Sequence, residues 1–287
     1  MLVTKSIDEI RSAVKLWKRQ KLTVGFVPTM GALHEGHLAL IQKARKHSDR
    51  VVVSIYVNPE QFGPDEDYEK YPRNLDDDLK LCRNYRAAAV FTPEDSVMYP
   101  KEEKYLGIGI NELNSHMCGA SRPGFFEGVV LVVNKLFNII EPDLAVFGQK
   151  DVQQFRIVEE MVREFNHSTE LVMGEIERAN DGLALSSRNA YLSNEERLKA
   201  PSVYRALSYL EKQIHDGVDE PSLLIRHQQN ELEAKGFKID YLGVFSLDKL
   251  QPVEKLENKG NYIIAAAVYL GETRLIDNIL IENEQVI

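Results

Sequence analysis

Strand-like and helix-like hydrophobic patterns alternate along the first 175 residues. Residues 22–27, Leu-Thr-Val-Gly-Phe-Val, are rich in β-branched and apolar side chains and stop at Pro28, which predicts a strand. Over residues 35–46, Leu38, Ile41 and Ala44 recur at every third position, placing an apolar stripe on one face of a helix. Residues 51–57 are almost continuously apolar, the pattern of a parallel strand covered on both faces. Helical periodicity at 75–86 leads into a strand at 87–91. A strong helix follows at 128–140, with Val129, Val132, Val133, Leu136, Phe137 and Ile140 on its buried side. Residues 144–147 form a strand ending in Gly148, 152–165 a helix and 171–173 a strand. This alternation predicts an α/β, Rossmann-like domain built on a parallel sheet. Ligands of such sheets bind beyond the carboxyl ends of the strands, so the residues just after each strand are the first to inspect.

The pattern changes near residue 180. Helices are expected at 194–215 and 221–235, then strands at 239–245, 262–270 and 273–282, the last two joined by a Gly271-Glu272 turn. The reading is a first domain over 1–178 and a smaller α+β C-terminal domain over 179–287. With 287 residues, 44% hydrophobic and 28% charged, the chain has enough apolar surface for two cores and is not of the disordered class. The formal net charge of −9 argues against non-specific binding to nucleic acid or to an anionic membrane, while leaving room for a local basic pocket. Two cysteines, Cys82 and Cys118, without a Cys-x-x-Cys spacing suit free thiols in a reducing cytoplasm. No secretory signal is expected at the N-terminus, and no apolar run reaches the 18 residues of a membrane span.

The candidate chemistry sits at the predicted strand ends. The first strand runs into Thr29-Met30-Gly31-Ala32-Leu33-His34-Glu35-Gly36-His37, a glycine-containing loop entering a helix. Helix N-termini favour anions, the glycines permit close approach, and His34 and His37 share one face of the first turn. A protonated or hydrogen-bond-donating imidazole pair there could hold an ATP phosphate. A zinc reading lacks the His-Glu-x-x-His spacing and a third ligand, and neither the dinucleotide nor the Walker glycine pattern is present. Asn58 and Gln61, after the second strand, are neutral amides suited to a hydroxylated substrate, though the segment also reads as an ordinary turn. The acidic runs Asp65-Glu66-Asp67 and Asp76-Asp77-Asp78 read as solvated faces, one of whose carboxylates could meet Mg²⁺ beside ATP phosphates. Gly148-Gln149-Lys150-Asp151, with Gln154 one turn on, offers a lysine for phosphate and Asp151 as a helix cap. Ser186-Ser187-Arg188-Asn189 combines hydroxyls with a planar cation, and Arg122, ahead of the strong helix, could face an anionic substrate.

Taken together, these segments resemble the pantoate–β-alanine ligase family. The carriers are Pro-Thr-Met-Gly-Ala-Leu-His-Glu-Gly-His at 28–37, Val-Asn-Pro-x-Gln-Phe at 57–62, Tyr-Pro-Arg at 71–73, Gly-x-Lys-Asp at 148–151 and Ser-Ser-Arg-Asn at 186–189. The resemblance spans nearly all of residues 1–200 in order; beyond that only length and general pattern agree. It implies an HxGH nucleotidyltransferase domain with a smaller C-terminal lid. It also implies condensation of pantoate with β-alanine, splitting ATP to AMP and pyrophosphate with Mg²⁺ through a pantoyl adenylate that the two domains close over. By resemblance, His34, His37, Lys150 and Arg188 are the catalytic set, with His37 in the acid role. Met30, Gly31, Gly36, Gly148, Gln149, Asp151, Glu177, Leu185, Ser186 and Ser187 join them around ATP. Gln61 and Gln154 would bind pantoate, with Asn58 and Met30 close by, and Asp77 would lie near the ribose or the metal. Gln149, Leu185 and Glu177 stand where the family commonly has Glu, Met and a small apolar residue. Of these, Glu177 alone breaks the apolar character of an adenine contact. The resemblance further implies a cytoplasmic homodimer. A protein that only adenylylates a phosphorylated substrate is the rival reading, disfavoured by the amide pair Gln61 and Gln154. A binding protein without catalysis is disfavoured by intact His34, His37, Lys150 and Arg188.

Overall fold

The computed structural model describes residues 1–64, 66–100, 105–257 and 260–281. In chain order the elements are β1 Leu2–Thr4, α1 Ile7–Arg19, β2 Val24–Thr29, α2 Glu35–His47, β3 Arg50–Ile55, α3 Leu75–Asn84, β4 Ala89–Phe91, α4 Asp95–Met98, α5 Met117–Ser121, α6 Phe125–Ile140, β5 Leu144–Gly148, α7 Val152–Glu164 and β6 Glu170–Gly174. They continue as α8 Asn194–Lys199, α9 Ser202–His215, α10 Ser222–Ala234, β7 Phe237–Ser246, β8 Tyr262–Leu270 and β9 Thr273–Ile281. By internal contacts the chain falls into two compact units. One comprises Met1–Ile110, Arg122–Gln149 and Gln154–Glu175; the other comprises Asn111–Ser121, Lys150–Gln153 and Ile176–Ile287.

The first unit holds a six-stranded sheet in the order β1-β4-β3-β2-β5-β6, parallel at every pairing, as the alternating pattern predicts. From β2 the chain winds through β3 to β4 on one side, whereas β5 and β6 lie on the other. The strand order therefore reverses between β2 and β5, which is where an open parallel sheet leaves a crevice for ligand. Register sharpens this: Thr29 pairs with Ile55, so the loops after β2 and β3 leave the sheet side by side. Val27, Leu38, Ile41, Ala44, Val51, Val53, Cys82, Val90 and Val146 form one buried cluster. Leu38, Ile41 and Ala44 are the threefold stripe read in the sequence. Burying Leu38 and Ile41 contributes about 1.5–3 kcal/mol each, more than the roughly 1 kcal/mol that Gly36 costs the helix.

Four elements escape the sequence pattern: β1, α1 and the short helices α4 and α5. β1 is only three residues long. Helix α1 is defined by charge and capping around two buried residues, Ile10 and Val14. Ser6 accepts from the Glu9 amide, Asp8 and Glu9 occupy the first turn, and Lys18 and Arg19 the last.

In the second unit β7-β8-β9 form an antiparallel sheet, and Leu270 pairs with Thr273 across the expected Gly271-Glu272 turn, where Gly271 has φ +56°. Its face packs with α9 and α10 through Leu207, Leu210, Leu232, Ile264, Ala266 and Val268. The single helix expected at 194–215 is two, α8 and α9, because Pro201 has no N–H to carry the ladder across. The third strand is described to Ile281; Glu282 lies outside the described residues.

Candidate active site

The loop after β2 is built from the inside. Gly31 and Ala32 take left-handed backbone angles, φ +83° and +50°. A Cβ on Gly31 would sit 2.9 Å from Asp78 Oδ2 and 3.1 Å from the Ile55 side chain, so glycine is required for space as well as for conformation. Asp78, buried on α3, accepts from the Ala32 N–H at 2.9 Å and the Leu33 N–H at 2.7 Å. The Gly31 N–H donates to Thr29 Oγ1 at 3.2 Å. Burial pushes the Asp78 carboxyl above its ordinary range, and the two amide bonds pull the other way. These loop amides are thus engaged within the chain.

His34 is the N-cap of α2: its Nδ1 accepts from the Gly36 N–H at 3.2 Å, while His37 Nδ1 accepts from the His34 N–H at 3.4 Å. The rings lie 4.1 Å apart, tilted by 46°. With both Nδ1 atoms accepting, each neutral ring carries its proton on Nε2, away from the cap. In that tautomer the two rings present Nε2–H groups as donors.

The turn after β3 is a second rigid element. Asn58 is almost wholly buried and uses its whole amide. Its Nδ2 donates to Gln61 Oε1 at 3.0 Å and to the Gly128 carbonyl at 3.1 Å. Its Oδ1 accepts from Tyr99 OH at 2.8 Å and the Glu60 N–H at 3.3 Å. With two donors and two lone pairs engaged, Asn58 orients Gln61 rather than offering groups of its own. Gln61 must then turn its NH₂ outward, and its Nε2 lies 3.2 Å from Met30 Sδ, joining the loops after β2 and β3. Helix α6 approaches this turn so closely that a Cβ on Gly128 would lie 2.1 Å from the Glu60 carbonyl oxygen. Arg122 serves the same turn. It forks onto Glu66, donates to the Gln61 carbonyl at 3.3 Å and covers the Phe125 ring at 3.6 Å. Arg122, read in the sequence as able to face an anionic substrate, is engaged here as an internal brace.

The acidic runs separate on inspection. Asp78 is the loop anchor just described, whereas Asp77 is exposed and accepts from Lys80 at 2.7 Å and Asn74 at 2.5 Å. Lys80 holds the Asp77 carboxyl below its usual range. Asp65 lies outside the described residues. Gly148 ends β5 opposite Gly174, beside the reversal of strand order, with Gln149 following in a 3-10 turn. Gln154 is half-buried on the first turn of α7.

The remaining candidates belong to the second unit. Lys150 lies 3.7 Å from Asp151 within the same short turn and is 21% exposed. Residues 177–185 form a narrow hairpin: the Leu185 N–H donates to the Glu177 carbonyl at 2.9 Å, and Arg178 bridges Ala184. Glu177 itself is exposed. Directly after the neck, Ser186 caps a 3-10 turn over Ser187–Tyr191 by accepting from the Arg188 N–H at 3.3 Å. Asn189 Nδ2 donates to the Ala184 carbonyl at 3.0 Å, closing the loop onto its stem. Ser186, Ser187 and Arg188 are therefore presented by a preformed turn.

Sequence reading put Asp78 in a solvated acidic run, whereas it is buried, took Gly128 only as a helix start, and passed over Tyr99 and Asn278. For Asp78 a signal existed: it lies four residues before buried Cys82, on the inner face of α3. For Gly128 and Tyr99 the information is tertiary.

An open parallel sheet with a histidine-capped helix at its switch point is the ligand-binding architecture of the α/β class. The profile of the family described as pantoate-beta-alanine ligase matches residues 2–280. A pantothenate synthetase of Coprothermobacter proteolyticus is 47% identical over 285 residues, covering 98% of this chain and 99% of that protein. One of Caldicellulosiruptor saccharolyticus is 45% identical over 283 residues, covering 98% and 100%. The crystal structure of pantothenate synthetase from Thermus thermophilus superposes with a TM-score of 0.90 at 40% identity, covering 97% and 99% of the two chains. That of pantoate-beta-alanine ligase from Francisella tularensis, complexed with beta-gamma ATP and beta-alanine, superposes at 0.82 with 33% identity over 98% and 97%. The chain belongs to the pantoate–β-alanine ligase family.

Proposed function

We infer that this chain joins pantoate to β-alanine in an amide bond at the expense of ATP, the last bond of pantothenate. The observation that carries the reading is the histidine pair capping α2 together with an amide, Gln61, that is oriented by Asn58 and touches Met30 of the loop leading to that cap. In the first half-reaction a pantoate carboxylate oxygen attacks the α-phosphorus, the bond to the bridging oxygen breaks, and pyrophosphate leaves. The site's task is to position the reactants and stabilise the charge that accumulates on phosphate oxygens. His34 and His37 would donate Nε2–H to those oxygens, with His37 in the acid role. For the second unit we assign phosphate oxygens to Lys150, Ser186, Ser187 and Arg188. In the second half-reaction the β-alanine nitrogen attacks the acyl carbon, loses a proton and expels AMP. Gln61 and Gln154 would hold pantoate through both steps.

We propose Mg²⁺ as the ion that accompanies ATP. The described residues hold no group of three or more His, Cys, Asp or Glu able to ligate a metal; beside ATP, Mg²⁺ would take phosphate oxygens and water with at most one or two carboxylates. When bound, it would neutralise phosphate charge. Asp77 would have to leave Lys80 to reach it. A cytoplasmic homodimer completes the proposal, to be checked by mass in solution; no helix among the described residues is long and apolar enough to cross a membrane.

The decisive assay supplies ATP, Mg²⁺, pantoate and β-alanine and follows AMP. Release of AMP that depends on both organic substrates is expected. AMP formed without pantoate, or none at all, would overturn the assignment. His37→Ala and Lys150→Ala should each slow adenylate formation by about 10²-fold or more, as loss of a transition-state donor does. Near-wild-type turnover in either variant removes that residue from the mechanism.

A further inference from the structure

Strand β9 carries two buried polar residues side by side, Asp277 and Asn278, at 5% and 2% exposure. Their cross-strand partners on β8 are Ala266 and Ala265, small residues that leave room for polar groups from elsewhere. Adjacent strand residues face opposite sides, so the two address different neighbours. The Asp277 carboxylate takes a two-pronged Arg178 guanidinium at 2.6 and 2.8 Å. Arg178 also donates to the Gly182 carbonyl at 3.1 Å and stacks on the Tyr204 ring at 3.8 Å. Arg178 is the residue that bridges Ala184 across the 177–185 hairpin, so Asp277 grips the stem from which the Ser186–Arg188 turn emerges. Asn278 turns the other way: its Nδ2 donates to the Lys150 carbonyl at 3.1 Å. The Asn278 N–H donates to Asp277 Oδ1 at 2.8 Å, tying the two grips together.

A buried ion pair of this kind can simply hold a fold together. The Asn278 bond is harder to dismiss in that way. It falls on the backbone of a three-residue turn whose middle residue is Lys150, 128 positions away in sequence. Two adjacent strand positions thus hold both segments to which phosphate binding is assigned in the second unit.

We propose that Asn278 is a positioning residue for the nucleotide: by holding the Lys150 carbonyl, in register with the Asp277 grip on the hairpin stem, it sets where the Lys150 ammonium is presented. The inference rests on the reading that Lys150 binds ATP phosphate. Asn278→Ala removes the donor. Asn278→Asp keeps the volume and turns an oxygen toward the Lys150 carbonyl, so it provides the same loss where the cavity of alanine unfolds the chain.

The test is a double-mutant cycle on the full-length enzyme, following AMP release. Asn278→Ala or Asn278→Asp should lower kcat/KM for ATP by about 10-fold, the scale of one buried hydrogen bond and its misplaced partner, with KM for pantoate unchanged. In a Lys150→Ala background the same substitution should have no further effect on kcat/KM for ATP, because the residue it acts through is gone. Wild-type kcat/KM in both Asn278 variants, or an equal loss with and without Lys150, would overturn the proposal. If Lys150→Ala alone leaves kcat/KM for ATP at the wild-type value, the underlying reading of Lys150 fails instead.

Discussion

Asp78→Asn isolates what holds the histidine loop in shape. In the native chain the buried carboxylate accepts two short backbone bonds, from Ala32 at 2.9 Å and Leu33 at 2.7 Å. Asparagine has the same shape but one oxygen, so it can keep one of these bonds and must turn an NH₂ toward the other amide. A hydrogen bond to a charged group is worth about 1.5–3 kcal/mol, so losing one sets the scale of the cost. Part is offset, because burial already disfavours the charge on Asp78. A net cost of about 2 kcal/mol follows, or roughly 30-fold in the population of the ordered loop at 1.4 kcal/mol per decade. The loss should fall on kcat/KM for ATP, since Ala32 and Leu33 immediately precede the His34 cap. It is read as AMP release at saturating pantoate and β-alanine, beside a thermal melt. Asp76→Asn, on the exposed side of the same helix turn, is the control and should stay within about 2-fold, as surface changes do. If Asp78→Asn matches that control in both rate and Tm, the loop does not depend on the carboxylate and the account is wrong.

Three further outcomes follow from other parts of the first unit. Gly128→Ala places a Cβ 2.1 Å from the Glu60 carbonyl and should raise KM for pantoate through Gln61 while costing about 1–3 kcal/mol in a denaturant titration, the range for overpacking; an unchanged KM with unchanged stability would contradict the close approach. Cys82, fully buried and pushed up to about 12 by burial and by Asp78, should resist iodoacetamide in the native enzyme at pH 8 and react after unfolding, as mapped by mass spectrometry; labelling without unfolding would count against it. Burial pushes His167 below its ordinary 6.5, so the unfolded chain protonates first and stability is lost as pH falls below about 6.5 toward the folded value. His167→Gln should therefore flatten the decline of Tm between pH 7 and 5, and an equal decline in both proteins would remove His167 as its source.

The first unit was legible because parallel strands buried on both faces write themselves as continuous apolar runs, as residues 51–57 do. The Leu38, Ile41 and Ala44 stripe likewise fixed α2 and so the place of the histidines. What the sequence concealed is tertiary. Asp77 and Asp78 are the same residue type one position apart, and only packing makes one a solvent-side partner of Lys80 and the other the anchor of the loop. Asn58 reads as a ligand contact by type, yet its four bonds show that the chain itself uses it up. Arg122 is similar: a cation before a helix suggests an anion outside, and its anion is Glu66. Polar side chains are ambiguous in sequence because the same donors serve a ligand or a distant loop equally well.

The histidine cap has a consequence for anyone who would improve this protein. Histidine is not among the preferred helix caps; serine, asparagine and aspartate hold the first turn better. At position 34 the residue that best suits the helix is therefore not the one the proposed chemistry uses. A library screened for heat resistance would reward His34→Asn or His34→Ser, and on the proposed role of His34 the winners are expected to be robust proteins with lowered turnover. Selection for activity and selection for durability pull in opposite directions at this one position. Thermal rank should be scored only among variants that keep His34.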